Sequence, residues 1–235
     1  MIKLIAFDLD LTLAPVGGPT EYENVLRIRR LEKEGIRIAV CSGKSTYYLS
    51  GFLRQFGLKN PVMVGENGCV IHFGADLPPE YYNVIPITEN AFNALRKIRS
   101  FIEKTYPDIW FQPNITAVTP FPTSAEQFDT INAFLEENKN EFCDIDVYRH
   151  FDSFDILPHG ISKKTGLAAV CERLKIGADE VITMGDGTND YSMFEFSKYS
   201  IGINLADSTR ATVNVKNLSE ALDFAQAVIN RDKAK

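Results

Sequence analysis

Residues 2–12 read IKLIAFDLDLT, and this stretch decides the fold. Residues 2–7 are apolar apart from Lys3, which is typical of a strand buried on both faces of a parallel sheet. The apolar run ends at two carboxylates, Asp8 and Asp10, which are separated by one leucine. Open parallel sheets bind ligands at the carboxyl ends of their strands. We therefore expect a buried first strand that delivers two acidic side chains to a site.

Helical and strand patterns alternate after this first strand. Apolar residues at helical spacing over 21–34 predict a helix that ends at Gly35, and IRIAV at 36–40 predicts a second strand. A further helix and strand are predicted at 45–56 and 62–64. This β-α-β alternation with nearly continuous apolar strands predicts an α/β fold built on a doubly wound parallel sheet.

The pattern changes in the middle of the chain. A predicted hairpin strand at 69–73 is followed by a polar, proline-containing break at 76–79. A small α+β layer is predicted next, with helices at 89–105 and 125–138, a β-like stretch at 109–119 and a strand at 144–149. The α/β alternation then returns, with a helix at 163–174, strands at 180–184 and 199–203, and a helix at 218–230. We predict a catalytic core formed by 1–76 and 157–235, with an inserted α+β cap at 77–156.

Composition and charge exclude several classes of protein. The chain has 235 residues, 45% of them hydrophobic, which suits a soluble globular protein with a sizeable core. Its net charge is −6 and it has no long basic run, so nucleic-acid binding is disfavoured. No stretch approaches the roughly 18 apolar residues that span a bilayer, and acidic residues come too early for a signal-peptide core. We expect a cytoplasmic protein that binds neither nucleic acid nor membrane.

Carboxylates at two predicted strand ends indicate a metal site. Asp8 and Asp10 follow a buried strand, where a charge is costly unless a partner compensates it. The predicted strand 180–184 ends in Gly185-Asp186-Gly187, a tight turn that presents another carboxylate. Magnesium prefers carboxylate oxygens and would balance these charges. A solvated turn is the alternative for the first pair, and a favourable helix dipole is the alternative for Asp190.

Candidate phosphate ligands occur at two predicted helix starts. Ser42 and Gly43 follow the strand at 36–40, where a hydroxyl and a backbone amide suit an anion. Lys163 and Lys164 open a helix although cations there oppose the helix dipole, so a bound anion would explain them. A simple helix cap at Ser42 and two solvated lysines are the alternatives.

Four motifs occur in a characteristic order: Asp8-x-Asp10-x-Thr12, Ser42-Gly43, Lys163, and Gly185-Asp186-Gly187-x-Asn189-Asp190. Together they resemble the motifs of the haloacid dehalogenase-like (HAD) hydrolases. The long segment before Gly160-Ile161-Ser162-Lys163 is similar to the α+β cap of the Cof-type branch, in or near which archaeal-type phosphoglycolate phosphatases and sugar-phosphate phosphatases lie. The chain departs from many relatives at Leu11, where they have Gly, and at Ser42, where they have Thr.

The resemblance implies a Rossmann-like core and a role for each motif residue. Asp8 would attack phosphorus as nucleophile, and Asp10 would act first as general acid and then as general base. Mg²⁺ would be bound by Asp8, Asp10 (through its backbone carbonyl), Asp186 and Asp190, the last directly, through water or from outside the ligand shell. The phosphate and the surrounding loops would be held by Thr12, Ser42, Gly43, Lys163 and Asn189.

The function implied is magnesium-dependent hydrolysis of a small phosphorylated metabolite, phosphoglycolate or a sugar phosphate, through an aspartyl-phosphate. A phosphomutase of the phosphomannomutase type would share every core residue and stays open. A phospho-accepting signalling domain also uses clustered Asp, a hydroxyl and a Lys, but the inserted segment and the motif at 185–190 argue against it. A monomer and a homodimer are both compatible with the sequence.

Overall fold

An eight-stranded sheet forms the centre of the protein, and the computed structural model describes residues 1–234. Its strands are β1 (Leu4–Phe7), β2 (Arg37–Cys41), β3 (Val62–Gly65), β4 (Val70–Phe73), β5 (Tyr81–Val84), β10 (Val181–Gly185), β11 (Tyr199–Ile203) and β12 (Val213–Val215). The strand order is β12-β11-β10-β1-β2-β3-β4-β5, and the first six strands in this order are parallel. β4 and β5 extend one edge in antiparallel fashion. The predicted α/β fold is confirmed.

Neighbouring residues of a strand point to opposite sides of the sheet, so both faces of the sheet carry apolar side chains. Helices cover both faces. Ile5 and Phe7 belong to an apolar cluster with residues of α1 (Tyr22–Lys33), α2 (Thr46–Arg54) and α7 (Leu218–Lys233). Leu4 and Ala6 belong to a cluster on the opposite face, with residues of α5 (Lys163–Leu174) and α6 (Tyr191–Phe196). Among residues 1–234, none of the helices combines the length and apolar character needed to cross a membrane.

The residues between β5 and α5 build a smaller α+β unit, called here the second layer. It contains the hairpins β6–β7 (Trp110–Phe111, Pro120–Phe121) and β8–β9 (Ile145–Arg149, Phe154–Pro158), joined by a bridge between Val118 and Ile156. It also contains α3 (Glu89–Thr105) and α4 (Ala125–Glu137). The rings of Phe101 and Phe134 stack between these helices, with centroids 3.7 Å apart. The second layer has an apolar cluster of its own, distinct from those beside the large sheet.

The sheet pairings add detail to the predicted insert at 77–156. Tyr81–Val84 lies within that range but pairs with β4 in the large sheet, and β9 continues to Pro158. The division of the chain at residues 77 and 156 stays a prediction, and the pairings favour crossings after Val84 and near Pro158. The β-like stretch predicted at 109–119 is mostly a loop, because the backbone amides of 115–117 bond to a carboxylate instead of a strand partner.

Candidate active site

Three adjacent strands, β10, β1 and β2, carry motif residues at their carboxyl ends. Phe7 lies in register with Met184 on one side and with Val40 on the other. The residues that follow these three positions bring Asp8, Asp186 and Ser42 to one edge of the sheet. This edge is where ligands of open α/β sheets bind.

Lys163 connects the predicted nucleophile to the Gly185–Asp190 motif. Its Nζ donates hydrogen bonds to Asp8 Oδ1 at 2.5 Å and to Asp190 Oδ1 at 2.6 Å, and its side chain is 1% exposed. The helix α5 begins here because Ser162 caps it through a reciprocal pair of hydrogen bonds with Thr165. The two carboxylates therefore explain why a cation opens this helix.

Asp190 is a buried anchor for two other parts of the site. Besides accepting from Lys163, its second oxygen, Oδ2, accepts hydrogen bonds from the amides of Asp186 and Gly187, both at 3.0 Å. A Cβ added at Gly185 would lie 2.4 Å from Asp190 Cγ, so only glycine permits this approach. Asp190 thus fixes the ammonium of Lys163 and the turn that presents Asp186.

Three carboxylates form a group suited to a divalent cation. One oxygen from each of Asp8, Asp186 and Asp190 lies within 4.8 Å of the others. Thr12 Oγ1 donates a hydrogen bond to Asp186 Oδ1 at 3.1 Å. Lys163 binds two of these three carboxylates, so the group keeps an excess of carboxylates over cations, and its oxygen donors are those that Mg²⁺ prefers. The side chain of Asp10 stands outside this group and lies 3.6 Å from Lys44, with both side chains about one-third exposed.

The electrostatics of the group follow from its burial. Burial and the neighbouring carboxylates of Asp190 and Asp186 raise the pKa of Asp8 to about 8, although Lys163 opposes this shift. Burial and Asp190 also raise the pKa of Asp186. Burial disfavours the charge of Lys163, but Asp190 and Asp8 outweigh it and raise the pKa of this lysine. A bound cation would favour ionised carboxylates at this position.

The predicted phosphate loop at Ser42 and Gly43 contacts both the core and the second layer. Ser42 Oγ accepts a hydrogen bond from the amide of Lys44 at 3.2 Å. The carbonyl of Gly43 accepts one from Gln112 Nε2 of the second layer at 2.8 Å. A Cβ at Gly43 would lie only 3.2 Å from Asn67 Nδ2, so a side chain there would push against its neighbours.

A cavity of about 440 Å³ opens beside Lys163, between the core and the second layer. Asn189 contributes to its core wall, and Arg149 and His150 of the β8–β9 hairpin contribute to the opposite wall. The guanidinium of Arg149 lies 5.0 Å from the centre of the Phe128 ring, and no ion pair found within residues 1–234 includes it. This wall therefore offers a cation to whatever occupies the cavity.

Two residues that sequence reasoning missed also belong to this site. Asn67 lines the cavity and donates to Asp155 Oδ2 at 2.8 Å, and Asp155 lines it as well. Asn67 follows β3, whose carboxyl end lies at the same edge of the sheet as those of β1 and β2. Inspection of every strand end, including the end of β3, would have pointed to Asn67. Asp155 lies inside a strand and gives no such signal.

Comparison with known proteins places the chain in a family. The model of the haloacid dehalogenase-like hydrolases matches residues 5–98 and 79–219. The chain belongs to this family. Among curated HAD relatives, the phosphoglycolate phosphatase of Nitrosopumilus maritimus is 29% identical over 97% of this chain and 98% of its own length. The phosphoglycolate phosphatase of Methanopyrus kandleri is 23% identical, covering 94% of this chain and 90% of that protein.

The HAD fold is also found in solved structures. A haloacid dehalogenase-like hydrolase from Bacteroides thetaiotaomicron superposes with a TM-score of 0.75 over 96% of this chain and 100% of its own, at 19% identity. Family membership and the phosphatase relatives confirm the predicted enzyme class, a phosphatase. The individual roles assigned to the motif residues stay predictions.

Leu11, a departure from the usual HAD motif, keeps the loop geometry that glycine favours. Its φ is 61°, in the left-handed region, and the residue is 59% exposed. This conformation costs a residue with a Cβ about 1–2 kcal/mol. The loop between Asp10 and Thr12 therefore tolerates leucine at a cost in stability.

Proposed function

We propose that the protein hydrolyses a phosphate monoester of a small metabolite, in a magnesium-dependent reaction through an aspartyl-phosphate on Asp8. The contact of Lys163 with both Asp8 and Asp190 carries the proposal, because this lysine also lines the adjoining cavity. A phosphate bound beside Lys163 would therefore lie next to the carboxylate that attacks it.

The reaction would proceed in two displacements. A carboxylate oxygen of Asp8 attacks phosphorus, the phosphorus–oxygen bond to the metabolite breaks, and Asp10 gives its proton to the departing alkoxide. Water then attacks the aspartyl-phosphate, Asp10 takes a proton from that water, and inorganic phosphate leaves. Lys163, Ser42 and the amide of Gly43 would hold the phosphate oxygens, where charge is spread in the transition state.

The cation would be held by Asp8 and Asp186, with the backbone carbonyl of Asp10 as a further ligand. Asp190 would support it indirectly, because its oxygens already accept three hydrogen bonds. Magnesium bound there would supply positive charge that offsets the repulsion between Asp8 and the phosphate. Thr12 would keep Asp186 oriented through its hydrogen bond to Oδ1.

We infer that the substrate is phosphoglycolate or a sugar phosphate, and the cavity favours the former. Arg149 and His150 would bind a carboxylate on the far side of the cavity from Lys163. A hydrogen bond to Asp155 raises the pKa of His150, which favours its charged form. Two relatives that match nearly the whole chain are phosphoglycolate phosphatases.

The decisive experiment measures release of inorganic phosphate from phosphoglycolate and from glucose 6-phosphate, with Mg²⁺ and after its removal by a chelator. We expect Mg²⁺-dependent release, with the higher kcat/KM for phosphoglycolate. An isomerised sugar phosphate without release of phosphate would establish the phosphomutase instead. No turnover of any phosphate ester in the presence of Mg²⁺ would contradict the proposal.

A further inference from the structure

The turn at residues 66–68 follows β3 at the edge of the sheet that carries the site, and the proposed reaction does not use it. Glu66 and Asn67 both have positive φ, 52° and 54°, which is uncommon for residues with a Cβ. The side chain of Glu66 is buried, with 1% of the residue exposed. Such strained conformations persist only where the surroundings enforce them.

The carboxylate of Glu66 accepts four hydrogen bonds, all from the second layer. Its Oε1 accepts from the amide of Ile115 at 2.8 Å. Its Oε2 accepts from the amide and the hydroxyl of Thr116, both at 2.8 Å, and from the amide of Ala117 at 3.0 Å. A buried carboxylate is tolerated only when its oxygens are bonded, and bonds to a charged acceptor are the stronger ones. Glu66 therefore holds the loop 115–117 through both of its carboxylate oxygens.

The backbone of the same turn contacts the elements that carry the predicted phosphate ligands. The amide of Glu66 donates to the carbonyl of Lys44, and the amide of Asn67 donates to the carbonyl of Ser42, both at 3.0 Å. A Cβ at Gly68 would lie 2.1 Å from the carbonyl oxygen of Ser162, so the turn packs against the start of α5. One short turn thus contacts the phosphate loop, the helix that begins at Lys163 and the second layer.

We propose that Glu66 is a positioning residue that sets the loop 115–117 of the second layer against the phosphate loop 42–44. Gln112, just before that loop, donates a hydrogen bond to the carbonyl of Gly43. This bond is a second, direct contact between the second layer and the phosphate loop. Glu66 thereby fixes the distance between the wall that binds the phosphate and the wall that selects the ester. This inference rests on the proposed function for its effect on catalysis.

The test uses the full chain with Glu66→Gln. Glutamine has nearly the same size, but its Nε2 would present N–H groups to amides that are themselves donors. We expect faster hydrogen exchange at the amides of 115–117. With phosphoglycolate and Mg²⁺, we expect kcat/KM to fall about 100-fold, since small misplacements near a reacting group have effects of this size.

Glu32→Gln is the matched control. The carboxylate of Glu32 also braces a loop, by accepting from the amides of Lys59 and Asn60 at 2.9 and 3.0 Å, but it lies outside the site. We expect faster exchange only at 59–60 and an unchanged kcat/KM. A milder variant, Thr116→Val, removes a single donor to Glu66, and we expect its effects to have the same direction. This variant provides the test if Glu66→Gln does not fold.

The outcomes separate this inference from the proposed function. Absence of phosphatase activity in the unmodified protein contradicts the proposed function, while exchange at 115–117 still reports on Glu66. Unchanged exchange at 115–117 in both Glu66→Gln and Thr116→Val would overturn the positioning role. Faster exchange with an unchanged kcat/KM, measured well below the melting transition, would reduce Glu66 to a structural brace and also overturn it.

Discussion

The two walls of the cavity are built on different physical principles. On the core wall, Lys163 is almost completely buried and binds the equally buried Asp190. On the opposite wall, Tyr148 and Arg149 are exposed and lie on a hairpin of the second layer. Buried charges keep one geometry because any displacement leaves them unpaired. The contrast predicts that a substitution on the opposite wall changes which ester is accepted, while the geometry around Lys163 is kept.

The largest effect is expected in the core, beside Lys163, with Asp8→Asn. The variant removes the proposed nucleophile, so activity should fall below about one per cent for every ester, whatever its leaving group. Release of inorganic phosphate from phosphoglycolate and from an aryl phosphate measures this. Retained activity above that level would contradict the role of Asp8, and an unchanged circular dichroism spectrum would show that the fold persists.

A smaller and selective effect is expected at the opposite wall, with Arg149→Ala. Loss of a charged hydrogen-bond donor should lower kcat/KM for phosphoglycolate by at least about tenfold, mainly through KM. An aryl phosphate, which lacks the carboxylate, should be affected much less. Arg99→Ala is the matched control, because Arg99 also lies over an aromatic ring, that of Phe111, but does not line the cavity. Equal losses for both esters would remove the distinction between the walls.

We expect the pair of His150 and Asp155 to make the opposite wall sensitive to pH. The hydrogen bond to Asp155 raises the pKa of His150 above its ordinary 6.5. The hydrogen bond between charged His150 and Asp155 therefore contributes fully to stability below pH 6.5. This contribution is lost as the pH rises through the pKa of His150 in the folded state. We expect the destabilisation caused by Asp155→Asn to shrink over that rise, as urea unfolding would measure. A titration of His150 by NMR that matches the ordinary value would contradict this.

The smallest effect is expected in the loop that follows β1, away from the residues that line the cavity, with Leu11→Gly. Relief of the left-handed conformation, offset by the greater freedom of glycine in the unfolded chain, should raise the free energy of unfolding by up to about 1 kcal/mol. Lys175→Gly is a matched comparison, because Lys175 adopts φ 55° at the end of α5. Thermal unfolding measures both, and a lower melting temperature for each would refute the assignment of strain.

The core was predictable because its signals are local. The apolar runs before Asp8 and Asp186 are short, and a charged residue follows each of them. When both runs are neighbouring strands of a parallel sheet, these two carboxylates lie at the same edge. β5 was missed because Tyr81–Val84 is only partly buried and edges a sheet. Contacts of the second layer were missed for another reason: Glu66 meets its partners about 50 residues later, at a loop without a motif. A single carboxylate in the sequence gives no pattern from which such a contact could be predicted.

The position of β1 in the middle of the sheet has a consequence for biosynthesis. During synthesis β1 is followed closely by one neighbour, β2, but its other neighbour, β10, starts only at Val181. The apolar cluster of the second layer, in contrast, comes entirely from residues 91–156 and is available earlier. Long separations slow the formation of contacts. The second layer can therefore acquire its structure before β10 is available to β1, and the edge of the sheet that carries Asp8 and Asp186 is completed later.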